Sequence, residues 1–162
     1  MSGRDSKDER LRSERITNII LDHWNDIKGL NQFPKEADLD TTYLEPLLDN
    51  CFLINVEGIE NGKYHYKFIG KNVLNSYGSD ITRLIDIGAT SPLTQKDKIY
   101  DLIKSKRPVI DDGSFKNIHG NIVRYRQCLV PLSIEGYKID SIFGGMRISI
   151  SIYDEDGSVT SD

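Results

Sequence analysis

The sequence predicts an α+β domain in which an amphipathic helix is followed by two strands, a run of short helices, a longer helix and three more strands. Three observations carry that expectation. Residues 63–69 alternate, with Tyr64, Tyr66 and Phe68 on one side and Lys63, His65 and Lys67 on the other, which is the period of a half-buried strand. Ile16, Ile20, Trp24 and Ile27 recur at spacings of four, four and three, an apolar stripe of helical period. Asn61-Gly62 separates two β-branched and aromatic runs, the strongest short hairpin signal.

A chain of 162 residues with 38% apolar content can bury one core. Three segments are expected: a charged arm or helix start over 1–15, one domain including the N-terminal helix over 16–153, and an acidic disordered tail over 154–162. The net charge is -4, from 21 basic and 25 acidic residues. Asp154, Glu155, Asp156 and Asp162 carry all of that excess, so the body is neutral and lacks the basic surface that nucleic acid needs. The first fifteen residues hold nine charges and no apolar signal core. No run approaches the ~20 apolar residues of a membrane helix, so a cytoplasmic protein without nucleic-acid or membrane partners is expected.

Taken in order, the helical pattern runs over residues 9–28 and stops at Gly29. Its stripe must be covered, either by its own domain or by a second copy. Ile16, Ile20, Trp24 and Ile27 are therefore the candidate residues for a homodimer or for a partner protein. Asp40 or Thr41 caps a short helix that Pro46 ends. Residues 51–56 read as the first strand, antiparallel to residues 63–69. Gly70 closes the second strand, and Val73, Leu74 and Tyr77 follow at helical spacing before Gly78. Residues 82–91 read as turns or short helices. Ser91-Pro92 begins a helix carrying Leu93, Ile99, Leu102 and Ile103, which ends before Pro108. Its Lys96, Lys98, Lys104 and Lys106 read as a solvated face.

Three strands close the chain. Residues 109–115 read as a short strand broken by Asp111-Asp112-Gly113, and either bulged or at an edge. Residues 122–132 form a long strand, and residues 139–153 the last one, with Gly144-Gly145 marking a bulge or a close backbone approach. Cys51 and Cys128 fall in strands without the spacing of a metal knuckle. Two buried free thiols are expected, and no metal site.

Four motifs in this order resemble a family of short, stand-alone bacterial PAS-like proteins. They are Trp24 near the end of the first helix, the segment from Leu44 to Ile54, the pair Tyr66-Lys67-Phe68-Ile69-Gly70 and Tyr77-Gly78-Ser79-Asp80-Ile81-Thr82, and Leu129-Val130-Pro131-Leu132-Ser133. Thr42, Lys67 and Arg83 depart from the family's pattern. The resemblance implies a PAS-like fold, a five-stranded antiparallel sheet covered by short helices, and a non-catalytic sensory or regulatory module that binds a small ligand, a signalling partner protein, or both.

A cavity between sheet and helices would be lined by Phe52, Ile54, Tyr66, Phe68, Val73, Leu74, Tyr77, Leu129, Ile142 and Met146. Alternatively, those side chains fill the core and leave a ligand-free scaffold. The cofactor is not specified. Light-sensing relatives carry a reactive Cys in the helix corresponding to residues 71–78, where this chain has none, so flavin photochemistry is not expected. Haem needs an axial ligand, and His23, His65 and His119 read as structural or solvated. The enzyme alternative is a small cone-shaped isomerase or hydratase, with Asp111-Asp112 beside Tyr66 or Tyr125 as its titratable group; no residue is assigned a catalytic role. Arg124 and Arg126, with Lys67, are candidates to meet an anionic partner or nucleotide head group on the outer face, the alternative being an ordinary solvated cross-strand ladder.

Overall fold

A computed structural model describes residues 15–78, 96–153 and 159–161. The expected turns over 82–91 and the Ser91-Pro92 helix start lie outside the described residues. Helices α1 (Ile16–Lys28), α2 (Thr41–Leu44), α3 (Lys71–Tyr77) and α4 (Lys96–Ser105) accompany strands β1 (Cys51–Asn55), β2 (His65–Ile69), β3 (Val109–Lys116), β4 (Ile122–Leu132), β5 (Ser141–Tyr153) and β6 (Val159–Ser161). The strand order is β2-β1-β5-β4-β3, with β6 pairing with the far end of β5, and every pairing is antiparallel. This is the expected five-stranded sheet plus one short strand. β6 corrects the expectation of a wholly disordered tail, because residues 159–161 pair with residues 151–153.

The sheet has two faces, and the register assigns each residue to one of them. Phe52, Ile54, Leu129, Ile142, Gly144 and Met146 share the inner face, while Cys51, Cys128 and Gly145 share the outer one. α1 packs on the outer face against β4 and β5. Its covered side includes Ile19, Ile20, His23 and Trp24, and the Trp24 indole N–H donates to the Pro131 carbonyl at 2.8 Å. Close approach is possible because Gly145 has no side chain: a Cβ there would meet Ile20 at 3.0 Å and Ile16 at 3.3 Å. Gly144, on the opposite face, lies beneath the Phe52 ring. The Gly-Gly pair thus marks close approach on both faces, and the β4–β5 and β1–β5 registers pass it without a bulge.

The expected pairing across Asn61-Gly62 is observed, since β1 runs antiparallel to β2. A 3₁₀ turn at Ile59–Asn61 precedes Gly62, whose φ of 72° closes it, and the first ladder pair is Asn55 with His65. The expected break at Asp111-Asp112-Gly113 is absent, since β3 pairs with β4 in continuous register from Val109 to Lys116. The irregularity instead lies in β2, where Leu53 opposes Phe68 but Ile54 opposes Tyr66. Lys67 is the extra residue, and an extra residue breaks the alternation of faces. The β3 edge position is as expected.

Candidate functional site

The inner face, between the sheet and helices α3 and α4, contains an apolar floor and a polar island. Phe52, Ile54, Val73, Tyr77, Leu129, Ile142 and Met146 are buried there in one cluster. Tyr66 packs edge-on to Phe52, with ring centroids 6.0 Å apart, and Leu74 is half-buried. Phe68 is the correction. The bulge at Lys67 turns it to the outer face opposite Leu53, where it is 40% exposed, and Ile69 takes the inward position opposite Phe52. Tyr77 stacks on Phe115 at 5.0 Å, which ties α3 to β3.

The polar island was not legible as a unit. Gln127, fully buried, donates from Nε2 to Asp111 Oδ1 at 3.0 Å. Lys98 reaches down from α4 to Asp111 Oδ2 at 2.6 Å and donates to the Tyr125 hydroxyl at 2.9 Å. Gly113 leaves the space occupied by the Tyr125 phenol, because a Cβ there would collide with its hydroxyl and ring. Burial opposes the charge on Lys98, yet its hydrogen bonds to Asp111 and Tyr125 prevail and raise its pKa above the ordinary lysine value. Burial, reinforced by the neighbouring Tyr64 and Tyr125, holds the Tyr66 phenol far above its ordinary pKa, in its neutral form. The Tyr64 hydroxyl is buried with no hydrogen-bond partner among the described residues. Lys98 was expected on a solvated face; α4 buries Ile99 and Leu102, and Lys98 flanks them. The available signal was Gln127, which alternates onto the inner face between Tyr125 and Leu129.

Asp111 and Asp112, nominated together, face opposite ways: Asp111 turns to Lys98 inside, and Asp112 pairs with Arg126 at 3.0 Å outside. Both Asp111 oxygens are already engaged, Oδ1 by Gln127 and Oδ2 by Lys98, so the carboxylate is not presented as a free base. His23 is structural. Its Nε2 accepts the Asp40 backbone N–H at 3.2 Å and its ring stacks on Tyr43 at 5.2 Å. Burial lowers its pKa, against the opposing pull of Asp40 and Asp26. Cys51 and Cys128 flank Gly145 on adjacent strands. Two strand spacings put them roughly 10 Å apart, beyond the ~7 Å reach of a disulfide, and burial pushes both thiols up to about 12. Among the described residues, no group of three or more His, Cys, Asp or Glu could hold a metal ion, and no helix is long and apolar enough to cross a membrane.

The four residues expected at a dimer interface are placed within the chain. Ile20 and Trp24 are buried on their own sheet, and Ile16 and Ile27 are half-buried beside them. The side of α1 left exposed is polar, with Asn18, Asp22, Asn25 and Asp26.

Comparison with known proteins agrees with this geometry. A family model described as PAS domain matches residues 12–147. The chain is similar in fold to a light-oxygen-voltage domain from a study of a flavin analogue, at 11% identity and a TM-score of 0.51, over 71% of this chain and 84% of that one. The LOV protein of Rhodobacter sphaeroides aligns at 11% identity and a TM-score of 0.46, over 60% of this chain and 58% of that one, so the chain spans little more than half its length. The dark structure of the blue-light photoreceptor Aureochrome1 LOV aligns at 13% identity and a TM-score of 0.49, over 70% of this chain and 81% of that one. No curated protein matches the chain in sequence.

Proposed function

The chain belongs to the PAS domain family, and from that premise we propose that it is a non-catalytic sensory or regulatory module of bacterial signalling that acts in the cytoplasm by binding. The observation that carries this reading is the Lys98–Asp111–Gln127–Tyr125 island on an otherwise apolar inner face. A small ligand bound between α4 and the sheet would meet both apolar walls and fixed polar contacts there, the composition of a selective pocket. It also joins α4 to β3 and β4, so a ligand that competes for Lys98 changes how that helix is held.

Catalysis is not part of the reading, because the inward carboxylate is committed on both oxygens. Thiol-based flavin chemistry does not fit either: α3 has no cysteine, and Cys51 and Cys128 lie on the outer face beneath α1. Self-association through α1 remains part of the proposal in a changed form. The apolar stripe is committed to the sheet, so a second copy or a partner protein would meet the polar side with Asn18, Asp22 and Asp26.

Native mass spectrometry of the protein purified from its own host tests the reading. The expected spectrum shows a noncovalent small molecule at one per chain, which is lost or diminished in Lys98→Met. A wild-type spectrum with the bare chain mass alone contradicts a retained ligand, and the subunit count in the same spectrum decides the self-association.

A further inference from the structure

The outer face carries polar chemistry that the inner site does not use. Beyond the end of α1, Arg124 lies opposite Ser149 and Ser114, while Arg126 lies directly opposite Arg147 and Asp112. These six residues, with Gly113 and Tyr125 between them along the strands, line an open groove of about 530 Å³. The groove continues into a recess of about 200 Å³ where Arg126 and Arg147 meet Arg15, Ile16 and Thr17 at the start of α1. Lys67, expected to join Arg124 and Arg126, is elsewhere: it pairs with Glu36 at 2.7 Å on the β2 edge.

Four features of this groove call for an anion. Like charges directly opposite one another across an antiparallel pair are destabilising, and Arg126 and Arg147 stand in that relation. Among the described residues only one carboxylate, Asp112, lines the groove against these guanidinium groups, and it pairs with Arg126 while 70% exposed. Arg124 and Arg147 have no ion-pair partner among the described residues, and the buried Nε of Arg126 has no hydrogen-bond partner. Finally, among the described residues the first turn of α1 has no side-chain cap, and the positive dipole end of the helix adds to the same field.

We propose that this groove is a binding site for a small phosphorylated molecule of about mononucleotide size, separate from the inner face. Guanidinium forks match phosphoryl oxygens in paired hydrogen bonds, and Ser114 and Ser149 supply hydroxyl donors beside them. The volume lies within the range of small-molecule sites. The groove is a local concentration of positive charge on a chain of net charge -4, which suits one anionic group and not the track of a nucleic-acid backbone.

The test is calorimetric titration of the full chain with inorganic pyrophosphate and with ADP, without divalent cations and at low ionic strength. Saturable binding of both is expected, weakening as salt rises. Each of Arg124→Gln and Arg147→Gln should weaken it by about tenfold or more, the loss of a charge-assisted bond pair. Lys67→Gln, which removes a cation from the β2 edge, should leave it unchanged. Without ligand, Arg147→Gln should melt higher than wild type, because it removes the like-charge pair. A lower melting temperature for that variant would give Arg147 a structural role and overturn the proposal. So would the absence of saturable binding, or ADP binding that survives both arginine substitutions. If neither anion binds wild type, but substituting Asp154, Glu155 and Asp156 with Asn or Gln allows binding, the groove belongs to the chain's own acidic stretch and the proposal also fails.

Discussion

Replacing Lys98 with Met tests the polar island while keeping most of the side chain's apolar stem. The substitution removes the ammonium that sits 2.6 Å from Asp111 Oδ2 and 2.9 Å from the Tyr125 hydroxyl. Hydrogen bonds to charged groups contribute roughly 1.5–3 kcal/mol. The Lys98 and Asp111 side chains retain 29% and 28% exposure, so water compensates part of the loss and about 1–2 kcal/mol is expected. For a domain of this size that lowers the melting temperature by roughly 3–6 °C. The pairing is isolated by a cycle with Asp111→Asn, in which the two losses should fall short of additivity by about 1 kcal/mol. The pH dependence supplies the sign. The pKa of Lys98 is raised in the fold, so its contribution is complete below the ordinary lysine value of ~10.4 and disappears as pH climbs through the folded value. Wild type should therefore lose its advantage over Lys98→Met in strongly alkaline melts. Strict additivity in the cycle, or an advantage unchanged by alkali, would refute the island as a coupled unit.

Three further outcomes follow from particular contacts. Gly113→Ala should cost about 1–3 kcal/mol in urea unfolding, because a Cβ collides with the Tyr125 phenol; Ser114→Ala beside it should stay within about 0.5 kcal/mol, and equal effects would contradict the contact. The pKa of His23 is lowered in the fold, so the unfolded chain takes up the proton first. Stability should hold above the ordinary value of ~6.5 and fall as pH drops below it, and thermal melts of His23→Gln should show a shallower acid slope. An identical slope would remove His23 as the cause. Trp24→Phe loses the hydrogen bond to Pro131 and should destabilise by about 1–3 kcal/mol, with the subunit count by light scattering unchanged. A change in that count with little loss of stability would return Trp24 to an intermolecular interface.

The elements were largely legible because period and punctuation agreed with the final packing. The alternation over β5, the length of β4, the helical stripe of α1 and the stop at Gly78 all correspond to observed elements. What escaped depends on which neighbour a residue meets. The bulge at Lys67 is set by the pairing of β2 with β1, and nothing in Tyr66-Lys67-Phe68 announces that Phe68 turns outward. Lys98 lies among lysines on α4, and its inward placement depends on Asp111 being opposite, more than ten residues away. Gly113 resembled a strand breaker, yet it makes room for Tyr125 on the adjacent strand. The ends of α1's stripe were equally suited to a partner or to the sheet, and Gly145 decided it by allowing Ile16 and Ile20 to approach the backbone.

The inner face holds a convenient reporter, because the chain has two methionines and Met146 is fully buried on the floor of that face. A sample labelled at its methionine methyls should give two signals, one from Met1 and one from Met146. Titration with the small-molecule fraction of host extract should move the Met146 signal saturably and leave the Met1 signal in place, and Lys98→Met should weaken that response. A Met146 signal that stays fixed at every concentration would contradict the claim that this face receives a ligand.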